Sequence, residues 1–291
     1  MSILVDQNTR LLVQGVTGRE GAFHTAQMLE YGTQVVAGVT PGKGGQTVEG
    51  VPVFDTVREA VERTGANASV LFVPALRTRD GILEAIDAGL ALIVTIAEHV
   101  PVGDMLTVYH AARWRGCRVI GPNSFGVISP GKAKAGFMAH RIFNPGHVAL
   151  LSRSATNCYE TVWMMTRRGI GQSTCVGVGG DMIAGSSFVD LLPLLEADPE
   201  TEAIVLIGEI GGAEEERAAA YIRAHVTKPV VACIAGKNAP KGRSMGHAGA
   251  IVGADGIGSA QSKEDALRAA GVQIADTTAD IVEQLWRLGV R

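Results

Sequence analysis

The sequence predicts an α/β protein built from two doubly wound domains, and three observations carry that prediction. Short runs rich in Val, Ile and Leu alternate with amphipathic segments, as in parallel βα units rather than hairpins. The runs are nearly all-apolar, as strands covered by helices on both faces must be. The alternation lapses once, after Gly121, and then resumes. A chain of 291 residues is long enough for two cores, and its 37 glycines, about twice the average share, suit many tight strand-to-helix turns.

In the first half, strands are expected at 11–14 (LLVQ), 34–39 (QVVAGV), 69–73 (SVLFV), 90–96 (LALIVTI) and 118–120 (RVI). Helices fall between them, at 21–31, 56–64, 78–89 and 103–116. The stretch "PNSFGVISPGKAKAGFMAHRIFNPG" is rich in Pro and Gly and reads as a linker. Beyond it, strands are expected at 147–151, 173–178, 203–207, 229–234 and 272–274, with helices at 156–168, 186–197, 213–225, 262–270 and 279–288. The boundary falls near residue 128, giving domains 1–128 and 129–291.

Charge narrows the function. Net charge is −3 and the basic residues are scattered, so no footprint for nucleic acid exists. No apolar run approaches the roughly 18 residues of a membrane span, and "MSILVDQNTR" lacks a signal pattern, so a cytoplasmic protein away from membranes is expected. The cysteines at 117, 158, 175 and 233 show no CxxC pairing and read as buried thiols, with no metal site.

The chemistry sits at strand ends. "VQGVTGREGAF" follows the first strand and opens the first helix, so Gly15, Gly18 and Gly21 form a turn whose amides favour a phosphate. Its spacing is GxxGxxG rather than GxGxxG, and the second strand does not end in the acid that grips a ribose diol. It runs instead into "TPGKGGQ", where Lys43 is either a surface lysine or the cation for a phosphorylated ribose; this favours coenzyme A over NADP.

In "LLSRSATNCYE", Ser152, Ser154 and Thr156 surround a helix start, either as ordinary N-caps or as a cradle for a phosphoryl group. "AIVLIGEIGG" presents Glu209 at the C-terminal edge of a buried strand, where open α/β sheets place their sites. "GRSMGHAGA" sets His247 among glycines. A neutral imidazole whose other ring nitrogen donates to a carboxylate is a competent nucleophile toward phosphorus, and Glu209 is the candidate acid.

Together these blocks, with "PVFDTVREAV", "EAIDAG", "GPN", "GQSTCVGVGGD", "DPETEAIVLIGEIGG" and "APKGRSMGHAGAI", resemble the α subunit of succinyl-CoA synthetase over essentially the whole chain. The resemblance implies an N-terminal Rossmann-like CoA-binding domain and a C-terminal flavodoxin-like ligase domain. It implies coenzyme A contacts from Thr17, Gly18, Arg19, Glu20 and Lys43, and from Ile96, Ala97 and Glu98, with Ala97 where the succinate enzymes carry Thr. It makes His247 the transiently phosphorylated residue, Glu209 its orienting acid, Ser154, Ala155 and Thr156 a phosphate-holding helix start, and Tyr159 a substrate-site residue. ATP or GTP with Mg²⁺ would sit on an ATP-grasp β subunit, in an αβ or α2β2 assembly; no GxxxxGK[ST] occurs in this chain.

Two loops depart from the family's GPNCPG and SRSGTLTYE. Ser124 and Phe125 replace Cys and Pro, Ala155 replaces Gly, and Asn157-Cys158 replaces Leu-Thr. A larger ring at Phe125 and a new amide at Asn157 would alter the acyl pocket, which leaves open a ligase for malate or another carboxylic acid. A CoA-binding regulatory homologue without turnover and an NADP oxidoreductase are the readings outside this reaction.

Overall fold

A computed structural model describes residues 2–240, 242–253, 256 and 258–290. The chain divides into two compact units, one comprising Leu4–Met138 with Ile183–Gly185, the other Ala139–Met182 and the chain from Ser186 on.

In the first unit, strands β1 (Arg10–Gln14), β2 (Gln34–Val39), β3 (Thr47–Val48), β4 (Val51–Phe54), β5 (Ala68–Leu71), β6 (Leu92–Thr95) and β7 (Arg118–Ile120) lie in the order β3-β4-β2-β1-β5-β6-β7. All pair in parallel except β3 on β4. Helices α1 (Arg19–Glu30), α2 (Val57–Thr64), α3 (Ala75–Asp87) and α4 (Val102–Arg115) supply the crossovers. The chain leaves β1 toward β2 and β4, then returns to β5 on the other side. That reversal between β1 and β5 is the switch point of a Rossmann-like sheet, where a crevice opens beyond the strands' C-terminal ends. The strands read as apolar because both faces are covered: Leu11, Leu12, Val13, Val70 and Ile93 are fully buried, each worth about 1.5 to 3 kcal/mol.

The second unit repeats the logic. Strands β10 (Pro145–Ser152), β11 (Gln172–Gly177), β12 (Ala203–Glu209), β13 (Val230–Ala235) and β14 (Gln273–Ala275) run in parallel in the order β14-β13-β12-β10-β11. This is the flavodoxin-like order, with its switch point between β10 and β12. Helices α5 (Ala155–Arg167), α6 (Phe188–Ala197), α7 (Glu214–His225), α8 (Ala260–Ala269) and α9 (Thr278–Arg287) complete it. No helix among the described residues is long and apolar enough to cross a membrane.

Two pairs of strands lie where the sequence reading has loop. Residues 47–54 form a hairpin in which Thr47 faces Pro52 and Val48 faces Val51. Its turn residues Glu49 and Gly50 both have positive φ, 51° and 79°, the geometry of a type I′ turn. The stretch read as a linker contains β8 (Gly126–Ser129) and β9 (Ala133–Gly136), an antiparallel pair. β9, "AKAG", carries none of the branched bulk by which a strand is recognised, and β8, "GVIS", is short and set in a Pro- and Gly-rich stretch that reads as loop.

Candidate active site

In the first unit the sequence-derived residues gather at one sheet edge. Thr17 and Gly18 follow β1, Lys43 lies in the turn after β2, and Ile96, Ala97 and Glu98 follow β6. Because these strands are parallel, all three segments leave the same edge. The β1–α1 turn is held by its backbone: Gly15 N–H donates to Val39 O at 2.8 Å, and Gly18 N–H donates to Gly15 O at 3.0 Å. A Cβ on Gly15 would stand 2.5 Å from Phe72 O and one on Gly21 2.1 Å from Gly15 O, so the turn tolerates no side chain at either place. Gly18 caps α1 without a side-chain hydrogen bond, leaving first-turn amides for a ligand. Thr17 Oγ1 lies 3.1 Å from Thr40 Oγ1, Lys43 is exposed, and Ala97 O accepts from Asn123 N–H at 2.8 Å. A glycine turn that opens a helix at the C-terminal edge of a parallel sheet is the kind of backbone on which phosphates bind.

The second unit assembles its site across the β10/β12 switch point. Glu209 ends β12, and its side chain is only 7% exposed. Its Oε2 lies 2.6 Å from His247 Nδ1, a short charge-assisted contact. A carboxylate only accepts, so the proton of this bond sits on Nδ1 and the lone pair of Nε2 is left for a substrate. The histidine loop is closed on the carbonyl of His247: the side-chain Oγ of Ser244 donates to it at 2.7 Å, and Ala250 N–H donates to the same oxygen at 3.1 Å. Gly180, in the loop after β11, lies against the imidazole; a Cβ there would stand 2.4 Å from Nδ1.

The electrostatics follow from these neighbours. The hydrogen bond to Glu209 lifts the His247 pKa above its ordinary 6.5; burial opposes it, the charge of Glu209 adds to it, Arg153 lowers it and Asp181 raises it.

The structure brings together Glu209 and His247, the pair expected from the sequence; the sequence reading does not single out Arg153, Asp181 or Gly180. Arg153 Nε lies 3.2 Å from Glu209 Oε1, and Asp181 is buried near the imidazole. No local signal pairs them with Glu209: Arg153 follows β10 and Gly180-Asp181 lie just beyond β11, and it is the strand order β12-β10-β11 that brings those ends to the edge holding Glu209.

Ser154 caps α5, its Oγ accepting from Asn157 N–H at 3.3 Å, and it is itself fixed by Ser152 Oγ, which accepts from Ser154 N–H at 3.0 Å. This is ordinary N-capping; one serine oxygen serves one amide of the turn, and Ala155 and Thr156 lie ahead of it. Tyr159, on the next turn of α5, packs edge-on to Phe143 at 6.3 Å, and burial pushes its hydroxyl pKa up. Ser124 and Phe125 belong to the first unit, whereas Asn157 and Tyr159 belong to the second. Phe125 is 2% exposed, one of the largest enclosed side chains, so its ring fills core. Ser124 is buried too, and its Oγ accepts from Gly126 N–H at 2.9 Å. The cysteines are all free; burial pushes the Cys117 and Cys233 thiols up to about 11 and raises Cys175 as well, which leaves these three poor nucleophiles.

Residues 6–99 match the family described as CoA binding domain, and residues 151–273 match CoA-ligase. The succinate–CoA ligase [ADP-forming] subunit alpha of Aquifex aeolicus (strain VF5) is 52% identical over 290 residues, covering 99% of this chain and 95% of its own length. Subunit alpha 2 of the corresponding enzyme from Archaeoglobus fulgidus is 53% identical over 283 residues, covering 97% and 98%. Among solved structures, ATP citrate lyase from Methanothrix soehngenii in complex with citrate and coenzyme A superposes with a TM-score of 0.88 at 25% identity. That match covers 99% of this chain and 52% of the lyase chain.

Proposed function

The chain belongs to the succinate–CoA ligase α-subunit family, and from that membership we propose that it joins succinate to coenzyme A at the expense of ATP, with His247 carrying the phosphoryl group between sites. Acid–CoA ligation is the family's chemistry, and the first unit is its CoA-binding domain. The observation that carries the phosphoryl reading is the 2.6 Å contact between His247 Nδ1 and Glu209 Oε2.

Glu209 holds the Nδ1 proton, so Nε2 attacks the terminal phosphorus of ATP, an N–P bond forms, and ADP leaves with the electron pair of the broken P–O bond. Positive charge on the phosphorylated ring is stabilised by Glu209 through the same hydrogen bond. A carboxylate oxygen of succinate next attacks phosphorus; the N–P bond breaks, its electrons return to Nε2, and a mixed anhydride results. First-turn amides of α5 after Ser154 hold the phosphoryl oxygens in both transfers, so one cradle serves two steps. Bound coenzyme A supplies the thiol that takes the acyl group and releases phosphate. Thr17, Gly18, Arg19 and Lys43 grip its phosphates, Glu20 contributes from the first turn of α1, and Ile96, Ala97 and Glu98 line the same edge.

The nucleotide and Mg²⁺ belong to a β subunit with an ATP-grasp fold, the partner implied by relatives named as α subunits. The same relatives favour succinate over malate, and the enclosed ring of Phe125 gives no pocket wall by which a bulkier acid would be selected. Paired His247 and Glu209 speak against a regulatory homologue without turnover.

The test is reconstitution with a β subunit and comparison of initial rates with succinate and malate, using ATP and GTP in turn. Succinyl-CoA should form with a preference for succinate of about tenfold or more. Preferred use of malate, or no acyl-CoA from a properly assembled complex, would overturn the reading.

A further inference from the structure

We propose that Arg153 is a positioning residue for the phosphoryl-carrying histidine: by pairing with one oxygen of Glu209 it limits the negative charge facing the imidazole and so keeps Nε2 available for phosphorylation near neutral pH. The inference rests on His247 being the phosphoryl carrier.

Arg153 follows β10 directly, at the switch point, and its side chain is 9% exposed. Its Nε lies 3.2 Å from Glu209 Oε1, while the other carboxylate oxygen, Oε2, takes His247. The Nε and Oε1 atoms are both buried and neither has a hydrogen-bond partner among the described residues, so this contact works through charge. Strand pairing does not need it. Ser152 already registers with Ile207, and Arg153 N–H donates to Ile207 O at 3.0 Å. A buried ion pair costs desolvation and is weak evidence of a stabilising role. The guanidinium also borders the histidine loop, since a Cβ on Gly249 would stand 3.3 Å from Nη2.

The chemistry gives the contact a purpose. Charged groups face His247 from three places: Glu209 at the end of β12, Asp181 in the loop after β11, and Arg153 after β10. Two carboxylates favour imidazolium, which has no lone pair on Nε2 and accepts no phosphoryl group. Arg153 is the cation that opposes them. Glu209 then orients the ring and stabilises its phosphorylated form without fixing it in the protonated state beforehand.

The test follows the ¹⁵N-labelled imidazole of His247 by NMR in the full chain, alongside the pH profile of kcat in the complex with the β subunit. In Arg153→Met the His247 acid dissociation constant should fall about tenfold, an upward shift of about one pH unit. The acid limb of kcat should move up with it, while KM for succinate stays unchanged. Arg153→Lys should restore most of the wild-type titration. A merely structural role would lower kcat at every pH and leave the limb in place, and that result overturns the proposal. Arg153→Gln serves if the Met variant does not fold; unfolding of every neutral variant makes Arg153 structural and equally overturns it. If the wild-type complex fails to phosphorylate His247, the carrier reading itself falls. If it does phosphorylate and the neutral variants titrate like wild type, only the role of Arg153 falls.

Discussion

At the scale of the residue, the account turns on how an imidazole is kept in one tautomer without being kept protonated. Glu209 does the first through a 2.6 Å contact with Nδ1, and the same contact lifts the His247 pKa above 6.5. The sign of the pH dependence follows. Protonated His247 stabilises the folded loop fully below about pH 6.5, and that contribution is lost as pH rises through the raised value. Phosphorylation needs the neutral ring, so the acid limb of kcat should lie above pH 6.5 and activity should rise through it. In Glu209→Gln the raising influence is gone, so the limb should move to lower pH, while kcat falls about 10²- to 10⁴-fold because the tautomer is no longer enforced. A pH–rate profile of that variant checks both parts; an unmoved limb would remove Glu209 from the role. His247 and Glu209 were legible in the sequence because each sits in a distinctive local context, a glycine-flanked loop and an acid closing an apolar strand. Arg153 was not legible as their partner, since its place is set by β10 lying beside β12, a pairing between segments more than fifty residues apart.

At the scale of the element, β12 is the piece that aims Glu209, and a second charged pair supports it from behind. Glu209 N–H donates to Glu215 Oε1 at 3.1 Å, from the first turn of α7. Glu215 in turn pairs with Lys263 of α8, which has 0% exposure and also lies 3.4 Å from Glu216. Gly208 is required beside this pair because a Cβ there would stand 2.6 Å from Glu215 Oε1. Breaking one partner of a buried pair leaves an uncompensated charge, so Lys263→Met should cost about 3 to 5 kcal/mol. That corresponds to a loss of roughly 6 to 20 °C in Tm by thermal denaturation; an unchanged Tm would show that the pair carries no such load. The main βα elements were legible because both-face burial makes parallel strands continuous apolar runs. The β3–β4 hairpin and the β8–β9 pair were not, since one depends on a Glu-Gly turn with positive φ at both residues and the other lies in a Pro- and Gly-rich stretch with one strand of small side chains.

At the scale of the whole molecule, two largely parallel sheets of different strand order each have a switch point, and the proposed chemistry is divided between the two units. One offers a backbone-lined anion cradle beyond β1; the other offers an imidazole steadied across β10 and β12. That division suits a reaction in which a phosphoryl group arrives, is handed to an acid and is then displaced by a thiol. Family membership supplies the reaction, and the contact of His247 with Glu209 supports the proposed carrier role. The direct measurement is to incubate the complex of this chain and its β subunit with ATP and Mg²⁺, quench at alkaline pH, and locate the phosphoryl group by peptide mass spectrometry. The account predicts an acid-labile phosphoryl group on His247, lost when succinate and coenzyme A are added. Succinyl-CoA formed at full rate by a His247→Asn complex, or a phosphoryl group on some other residue, would contradict it.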